Sequence, residues 1–248
     1  MKRFWLAIIG IALSSSALAQ SMSCPSQTED MMNYFSMGYP SRLANYMGPG
    51  NANPIYTGIV PDLGTRFSTS GYLVWMKSSI GYPWDIKSFD QNYIYDRTTE
   101  LSWTDATTFK RFNTDLPMSK RCVGVGKSGG TIRVASANTN YSSYSNCQWT
   151  KRQNLGYVVN TISAPVIVNT GNLGSVKTRY FKYKYSCDSN YANCAYKEVF
   201  SLGYQVGLYD WKYYKNVGGS FVLVQESLIN RFSSGSATPF LPCTSSYR

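Results

Sequence analysis

The sequence predicts an all-β fold: one antiparallel β-sandwich or barrel-like domain with a long N-terminal loop region, a short N-terminal helix and disulfides. Three observations carry that expectation. β-Branched and aromatic residues, including 21 tyrosines, recur in short runs separated by Gly, Asn and Pro, the composition of strands and turns. Residues of opposite character alternate with period two in the C-terminal half, where Leu208, Asp210, Lys212 and Tyr214 interleave with Tyr209, Trp211 and Tyr213. No repeat, linker or low-complexity run divides the chain, which argues against propellers and solenoids.

Residues 1–19 read as a secretory signal. Lys2 and Arg3 give a charged start, Phe4 to Leu13 an apolar stretch, and Ala17-Leu18-Ala19 a small-x-small cleavage pattern. Residues 20–248 are then the mature domain, exported to the periplasm or the extracellular space. It has no apolar run of the roughly 20 residues that a membrane helix needs.

A helix is expected over Glu29 to Ser36, capped by Thr28. Gly and Pro interrupt the stretch from Gly38 to Pro61 repeatedly, which reads as an ordered loop. Strands are expected at Tyr72 to Lys77, Tyr93 to Thr98, Glu100 to Trp103, Thr131 to Ala135, Leu155 to Ile162 and Val166 to Asn169. Further strands follow at Val176 to Ser186, Ala195 to Leu202, Val206 to Tyr214 and Ser220 to Leu228, with Asn216-Val-Gly218-Gly219 turning the last hairpin. That hairpin is expected to place Trp211 and its neighbouring tyrosines on one face. From Arg179 to Tyr185 the strand alternates an aromatic face with a basic one carrying Lys182 and Lys184.

Six cysteines in an exported chain read as disulfides rather than metal ligands. Cys187 and Cys194 flank a polar hairpin loop and are expected to pair. Elimination then pairs Cys122 with Cys147 and Cys24 with Cys243.

The absence of histidine removes Ser-His-Asp and Cys-His catalysis, His-ligated metals and c-type haem attachment. The net charge of +11, about +9 without Lys2 and Arg3, invites a nucleic-acid reading. The basic residues are dispersed and carry no nucleic-acid signature, so no nucleic-acid partner is expected; they read as a solvated face, or as attraction to an anionic envelope polymer. Gly124-Val-Gly-Lys127-Ser128 lacks the upstream Gly of a phosphate loop, Arg121 standing in its place. Asp188-x-Asn190 opens like a calcium loop, but Ala192, Asn193 and Val199 occupy positions needing a ligand, a Gly and a Glu. No cofactor is expected; an irregular carbonyl-based calcium site is the one metal alternative.

Two constellations carry chemistry. Asp85, Asp90, Asp96, Glu100 and Asp105 form the single acidic concentration, interleaved with aromatic residues. A glycosidase needs two carboxylates roughly 5–9.5 Å apart; Asp96 and Glu100 on one straight strand would be about 13 Å apart, so a bend or cross-strand pairing is required. The other constellation is aromatic. Tyr82, Trp84, Tyr93, Tyr95, Trp211, Tyr213 and Tyr214 are the candidates for stacking on sugar faces.

Tyr72-Leu-Val-Trp75 through Gly81-Tyr-Pro-Trp-Asp85, and Gly207-Leu-Tyr-Asp-Trp-Lys212 with its hairpin, resemble stretches in groups of secreted β-rich bacterial proteins with no assigned activity. That resemblance implies export and β structure alone. The functional expectation is a non-enzymatic module binding a glycan or other cell-surface polymer. The alternatives are a carbohydrate-active hydrolase using two acids of the 85–105 region and a structural subunit of an extracellular assembly.

Overall fold

The computed structural model describes residues 24–35, 42–47, 54–60, 71–77, 83–100, 108–135, 138–143, 151–171 and 173–234, with side chains at 24–35, 89–96, 116–135, 154–171, 173–226 and 228. The elements are β1 (Thr28–Asp30), α1 (Met32–Phe35), β2 (Arg42–Met47), β3 (Pro54–Val60), β4 (Gly71–Lys77), β5 (Pro83–Phe89), β6 (Tyr93–Glu100), β7 (Thr108–Lys120), β8 (Cys122–Gly124) and β9 (Gly130–Val134). They continue with β10 (Asn138–Ser143), β11 (Lys151–Asn154), β12 (Tyr157–Ile162), β13 (Val166–Asn169), β14 (Ser175–Cys187), β15 (Cys194–Gly203), β16 (Gly207–Val217) and β17 (Ser220–Ser234).

The expected all-β class holds. β1 and β8 form a two-stranded ribbon, and the remaining strands form one antiparallel sheet in the order β11-β10-β7-β6-β5-β4-β3-β2-β17-β16-β15-β14-β12-β9, with β13 beside β14. Seven strands, β9 and β12 to β17, form the part with most of its side chains described. The long sheet rolls back on itself. Pro117 of β7, near one end of the order, accepts a 2.8 Å hydrogen bond from Asn160 Nδ2 of β12, near the other.

Between these layers lies the core. Ile94, Leu116 and Met118 pack with Phe181, Phe200 and Leu202, and Met31 together with Met32, Tyr34 and Phe35 of α1 fills the gap. Full burial of such side chains stabilises by about 1.5–3 kcal/mol each. The β16–β17 turn consists of Gly218 and Gly219, with φ of 59° and 87°, so both central residues adopt the left-handed region that a two-residue type I′ turn requires. Asn216 Oδ1 accepts from Gly219 N at 2.9 Å and holds that turn closed.

The structure corrects three expectations. The helix begins at Met32, because Asp30 Oδ1 accepts from Met32 N at 2.9 Å and takes the capping role expected of Thr28. Glu29 is thereby freed from a helical first turn and sits in β1. The stretch expected as loop from Gly38 to Pro61 contains β2 and β3, paired from Leu43 opposite Tyr56 to Asn45 opposite Pro54. Pro54 is tolerated because it opens its strand. Finally, Cys24 bonds Cys122, replacing both long-range pairings expected by elimination, while Cys187 and Cys194 are joined as expected. The antiparallel β1–β8 pairing sets Asp30 opposite Cys122 and brings the N-terminal segment beside that cysteine. Cys147 and Cys243 lie outside the described residues. The two bridges fit an oxidising, extracytoplasmic environment.

Candidate functional site

The three long strands β14, β15 and β16 present two faces of different chemistry. On the core face Phe181, Tyr183 and Tyr185 lie opposite Phe200, Glu198 and Tyr196, and Phe200 and Glu198 in turn face Trp211 and Tyr213. Toward α1 this face is closed. Toward the Cys187–Cys194 end it opens into a run of rings: Tyr183 to Tyr185 at 4.8 Å and 23°, Tyr185 to Tyr196 at 5.1 Å and 27°, Tyr196 to Tyr213 at 6.2 Å and 22°, and Tyr213 to Trp211 at 6.3 Å and 4°. Tyr183 is buried, and the other four are half-buried. Near-parallel rings on a pleated face follow from the register, since side chains at i and i+2 and their cross-strand partners project the same way.

Glu198 anchors the run. Its Oε2 accepts from Trp211 Nε1 at 2.8 Å. Burial, followed by the field of and a hydrogen bond to Glu198, raises the Tyr185 hydroxyl far above the ordinary phenol range. Burial also raises Tyr213, helped by Tyr196 and Glu198. These hydroxyls therefore remain protonated donors at any physiological pH.

Of the aromatic candidates, Trp211 and Tyr213 join this row. Tyr214 does not, because it lies on the opposite face, where Lys197 Nζ sits 3.9 Å from its ring centroid. Tyr209 also leaves the expected shared face: it is the residue left unpaired where Ser201 faces Asp210 and Leu202 faces Leu208, and its hydroxyl lies 2.9 Å from Thr178 Oγ1. Tyr93 and Tyr95 form a separate tilted pair at 5.9 Å beside the β5–β6 turn. Trp84 belongs to β5, five ladder steps from β16; its side chain and the whole of Tyr82 lie outside the described residues. Tyr185, Tyr196 and Glu198 are the members missed from sequence. Their signal was the alternation Cys194, Tyr196, Glu198, Phe200 in β15, the mirror of that in β14.

Of the acidic candidates, Asp90 and Asp96 have described side chains, and each lies at its own place in the β5–β6 ladder or turn. Asp90 makes a turn: Oδ1 accepts from Asn92 N at 2.6 Å and Tyr93 N at 2.7 Å, and Oδ2 accepts from the Tyr95 hydroxyl at 2.8 Å. Asp96 is buried, opposite Lys87 in the β5–β6 ladder, and Asp85 faces Thr99. No two of these acids occupy facing positions there. The side chains of Asp85 and Glu100 and the whole of Asp105 lie outside the described residues.

Other carboxylates hold the molecule together. Arg179 is wholly buried; Nη2 donates to Glu29 Oε2 at 2.8 Å, and Nη1 donates to the carbonyls of Lys127 and Ser163 at 2.6 and 2.9 Å. Lys177 and the Tyr34 hydroxyl complete the set on Glu29. Burial would raise the Glu29 carboxyl, but the hydrogen bonds from Arg179, Lys177 and Tyr34 hold it below its ordinary 4.5. The Gly-Lys turn resembling a phosphate loop thus serves as an acceptor for a buried guanidinium. Asp30 receives Arg121 through Nε and Nη2, the latter at 2.9 Å.

One unforeseen acidic pair shares an ammonium: Lys212 Nζ lies 3.2 Å from Asp210 Oδ2 and 3.0 Å from Glu226 Oε1. Burial raises the Asp210 carboxyl above its ordinary value, as a general acid requires, yet its Oδ1 is fully covered and unpartnered. Such an oxygen cannot reach a substrate without rearrangement, so the trio is a cluster in which one ammonium serves two carboxyl groups rather than a catalytic pair.

Asp188 closes the loop expected as a failed calcium site. Its carboxylate accepts from the backbone N–H groups of Asn190, Ala192 and Asn193, which lowers its pKa, the Ala192 bond contributing most. Among the described residues no group of three acidic or sulfur ligands is placed to hold a metal, and no helix is long and apolar enough to cross a membrane. Comparison with protein-family models, curated proteins and solved structures gives no match to the chain.

Proposed function

We propose that this protein is an exported, non-enzymatic binding module for a glycan or other cell-surface polymer, with Tyr185, Tyr196, Tyr213 and Trp211 as its contact surface. The near-parallel, half-exposed run of rings is the observation that carries this reading. Centroid separations of 6.2 and 6.3 Å at the Trp211 end exceed those of fully overlapped rings, so the stacked rings there are offset and leave part of each face uncovered as an apolar surface. The C–H faces of a pyranose pack on such a surface, while phenol hydroxyls and the Glu198 carboxylate supply hydrogen bonds at its rim. Residues 1–19, with their charged start, apolar stretch and Ala17-Leu18-Ala19, support export, and the disulfides agree with it.

A polysaccharide array probed with the disulfide-intact protein, run beside hydrolysis assays on the same polymers, tests the proposal. Retention of a neutral polysaccharide without cleavage is expected. Cleavage of a retained polymer would move the protein to the hydrolase class.

A second reading, a subunit of an extracellular assembly, draws on β17. Val222, Leu223 and Val224 are 50%, 46% and 52% exposed, and the Ser220–Ser227 stretch pairs with β16 on one side and with no described strand on the other. An exposed apolar edge is a template for strand addition. Light scattering at high concentration separates the readings: an assembly subunit self-associates, whereas a binding module of the first kind stays monomeric.

A further inference from the structure

We propose that the opposite face of β14 and β15 is a second binding site, distinct from the aromatic row, for a linear acidic polysaccharide, with Arg133, Lys182, Lys184 and Lys197 as its cations. Lys184 and Lys197 are directly facing residues in the β14–β15 ladder. Lys184 also faces Val159, which in turn faces Arg133. Arg133, Lys184 and Lys197 therefore lie along one line across four neighbouring strands, about 14 Å long at the usual strand spacing. Lys182 extends the charge one pleat along β14. Arg133 and Lys182 are exposed, and Lys184 and Lys197 are half-buried.

Two facts separate this face from an ordinary solvated one. Like charges at facing positions of a ladder destabilise the sheet, and no carboxylate among the described residues offsets the Lys184–Lys197 pair; the exposed Lys120, Lys127 and Lys215 also lack a carboxylate partner there, but none of them faces another cation. A local rule broken without a neutralising carboxylate is expected at functional or strained sites. The charges are also interleaved with rings. Lys197 Nζ lies 3.9 Å from the Tyr214 centroid and 4.7 Å from Phe221, Lys184 Nζ lies 5.7 Å from Phe221, and Arg133 Cζ lies 5.8 Å from Tyr191. Burial, with Lys182 and Lys184 adding to it, lowers the Lys197 ammonium below its usual range, and an anion laid along the row would reverse that.

The chemistry selects the occupant. A strand-spaced row of cations with aromatic rings beside them fits a linear polymer that alternates anionic groups with apolar sugar faces. Such polymers occur in the oxidising compartments that the disulfides imply, and the face carries no base-reading motif.

Polygalacturonate is the probe, with dextran as the neutral comparator and duplex DNA as the non-saccharide polyanion. Wild-type protein is expected to bind polygalacturonate at low salt, with dextran binding insensitive to changes on this face. The Lys184→Gln/Lys197→Gln double variant should lose about tenfold or more in affinity and show a shallower salt dependence. The charge-matched Lys120→Gln/Lys127→Gln variant, which removes two exposed lysines elsewhere, should change it less than about twofold. A melting temperature for the first variant no lower than wild type shows that the loss is not unfolding. Equal losses in the two variants, no binding by wild type, or DNA bound as tightly with the same loss would each overturn the assignment. Because Trp211 is untouched in both variants, failure here leaves the aromatic-row proposal to its own test.

Discussion

On the core face of β14, Arg179 is wholly buried and meets Glu29 and two carbonyls, whereas on the opposite face of the same strand Lys182 and Lys184 have no carboxylate among the described residues. The two sides use the same residue chemistry for different ends. Taking a guanidinium out of water is tolerable when its charge is matched and hydrogen-bonded, and in Arg179 both Nη atoms have acceptors while Nε is unpartnered. The match comes from a residue 150 positions away, so this ion pair is tertiary structure, joining the N-terminal ribbon to the main sheet. The lysines leave their own charge uncompensated, at a small cost that a bound anion would relieve.

The largest expected effect breaks the matched side. Glu29→Gln leaves Arg179 buried beside a neutral amide, and urea unfolding should show a loss of about 3–5 kcal/mol. Its pH dependence has a definite sign. Because the folded state lowers the Glu29 pKa, the carboxylate contributes stability that is fully present above about pH 4.5 and is lost as pH falls through the lowered folded value. Wild-type and Glu29→Gln curves should therefore converge in acid; a constant gap down to low pH would remove Glu29 from the account.

Next in size is the covalent hold on the same ribbon. The Cys24–Cys122 bridge spans a sequence separation of 98, and Cys24→Ser with Cys122→Ser should cost about 2–4 kcal/mol, read as a lower melting temperature. Non-reducing peptide mapping should recover this linkage and Cys187–Cys194.

The smallest effect tests the unmatched side and has the opposite sign. Lys184→Gln removes one of two facing like charges and should raise stability by about 0.5 kcal/mol, or about 1–2 °C in melting temperature. A fall would mean that the contact of Lys184 with the Phe221 ring outweighs the repulsion from Lys197.

What could be read from the sequence follows from how local the signal was. β13 matches the expected Val166–Asn169, and β14 to β17 begin within a residue of their expected starts, because each has a long period-two alternation and a Gly or Asn turn. β7 escaped notice despite its 13 residues: Lys110-Arg111, Pro117 and Lys120-Arg121 interrupt the apolar pattern, and the sheet on either side of it supplies the pairing. β2 and β3 were hidden by Gly and Pro for the same reason. The Cys187–Cys194 hairpin was legible and Cys24–Cys122 was not, since nothing within a few residues of Cys24 signals that β1 runs beside β8. The binding row was half-legible. Trp211 and Tyr213 stood out by composition, while Tyr185, Tyr196 and Glu198 became part of it through the β14–β15–β16 register.

Titration of the disulfide-intact protein with the neutral polysaccharide it retains best, compared with Trp211→Ala at about 50 and 500 mM salt, tests the central claim most directly. The account predicts a loss of about tenfold or more, near 1.4 kcal/mol, that is the same at both salt concentrations, with the melting temperature showing that the variant is folded. Unchanged affinity in Trp211→Ala, or wild-type affinity that collapses at high salt, would contradict it and leave the lysine face as the seat of binding.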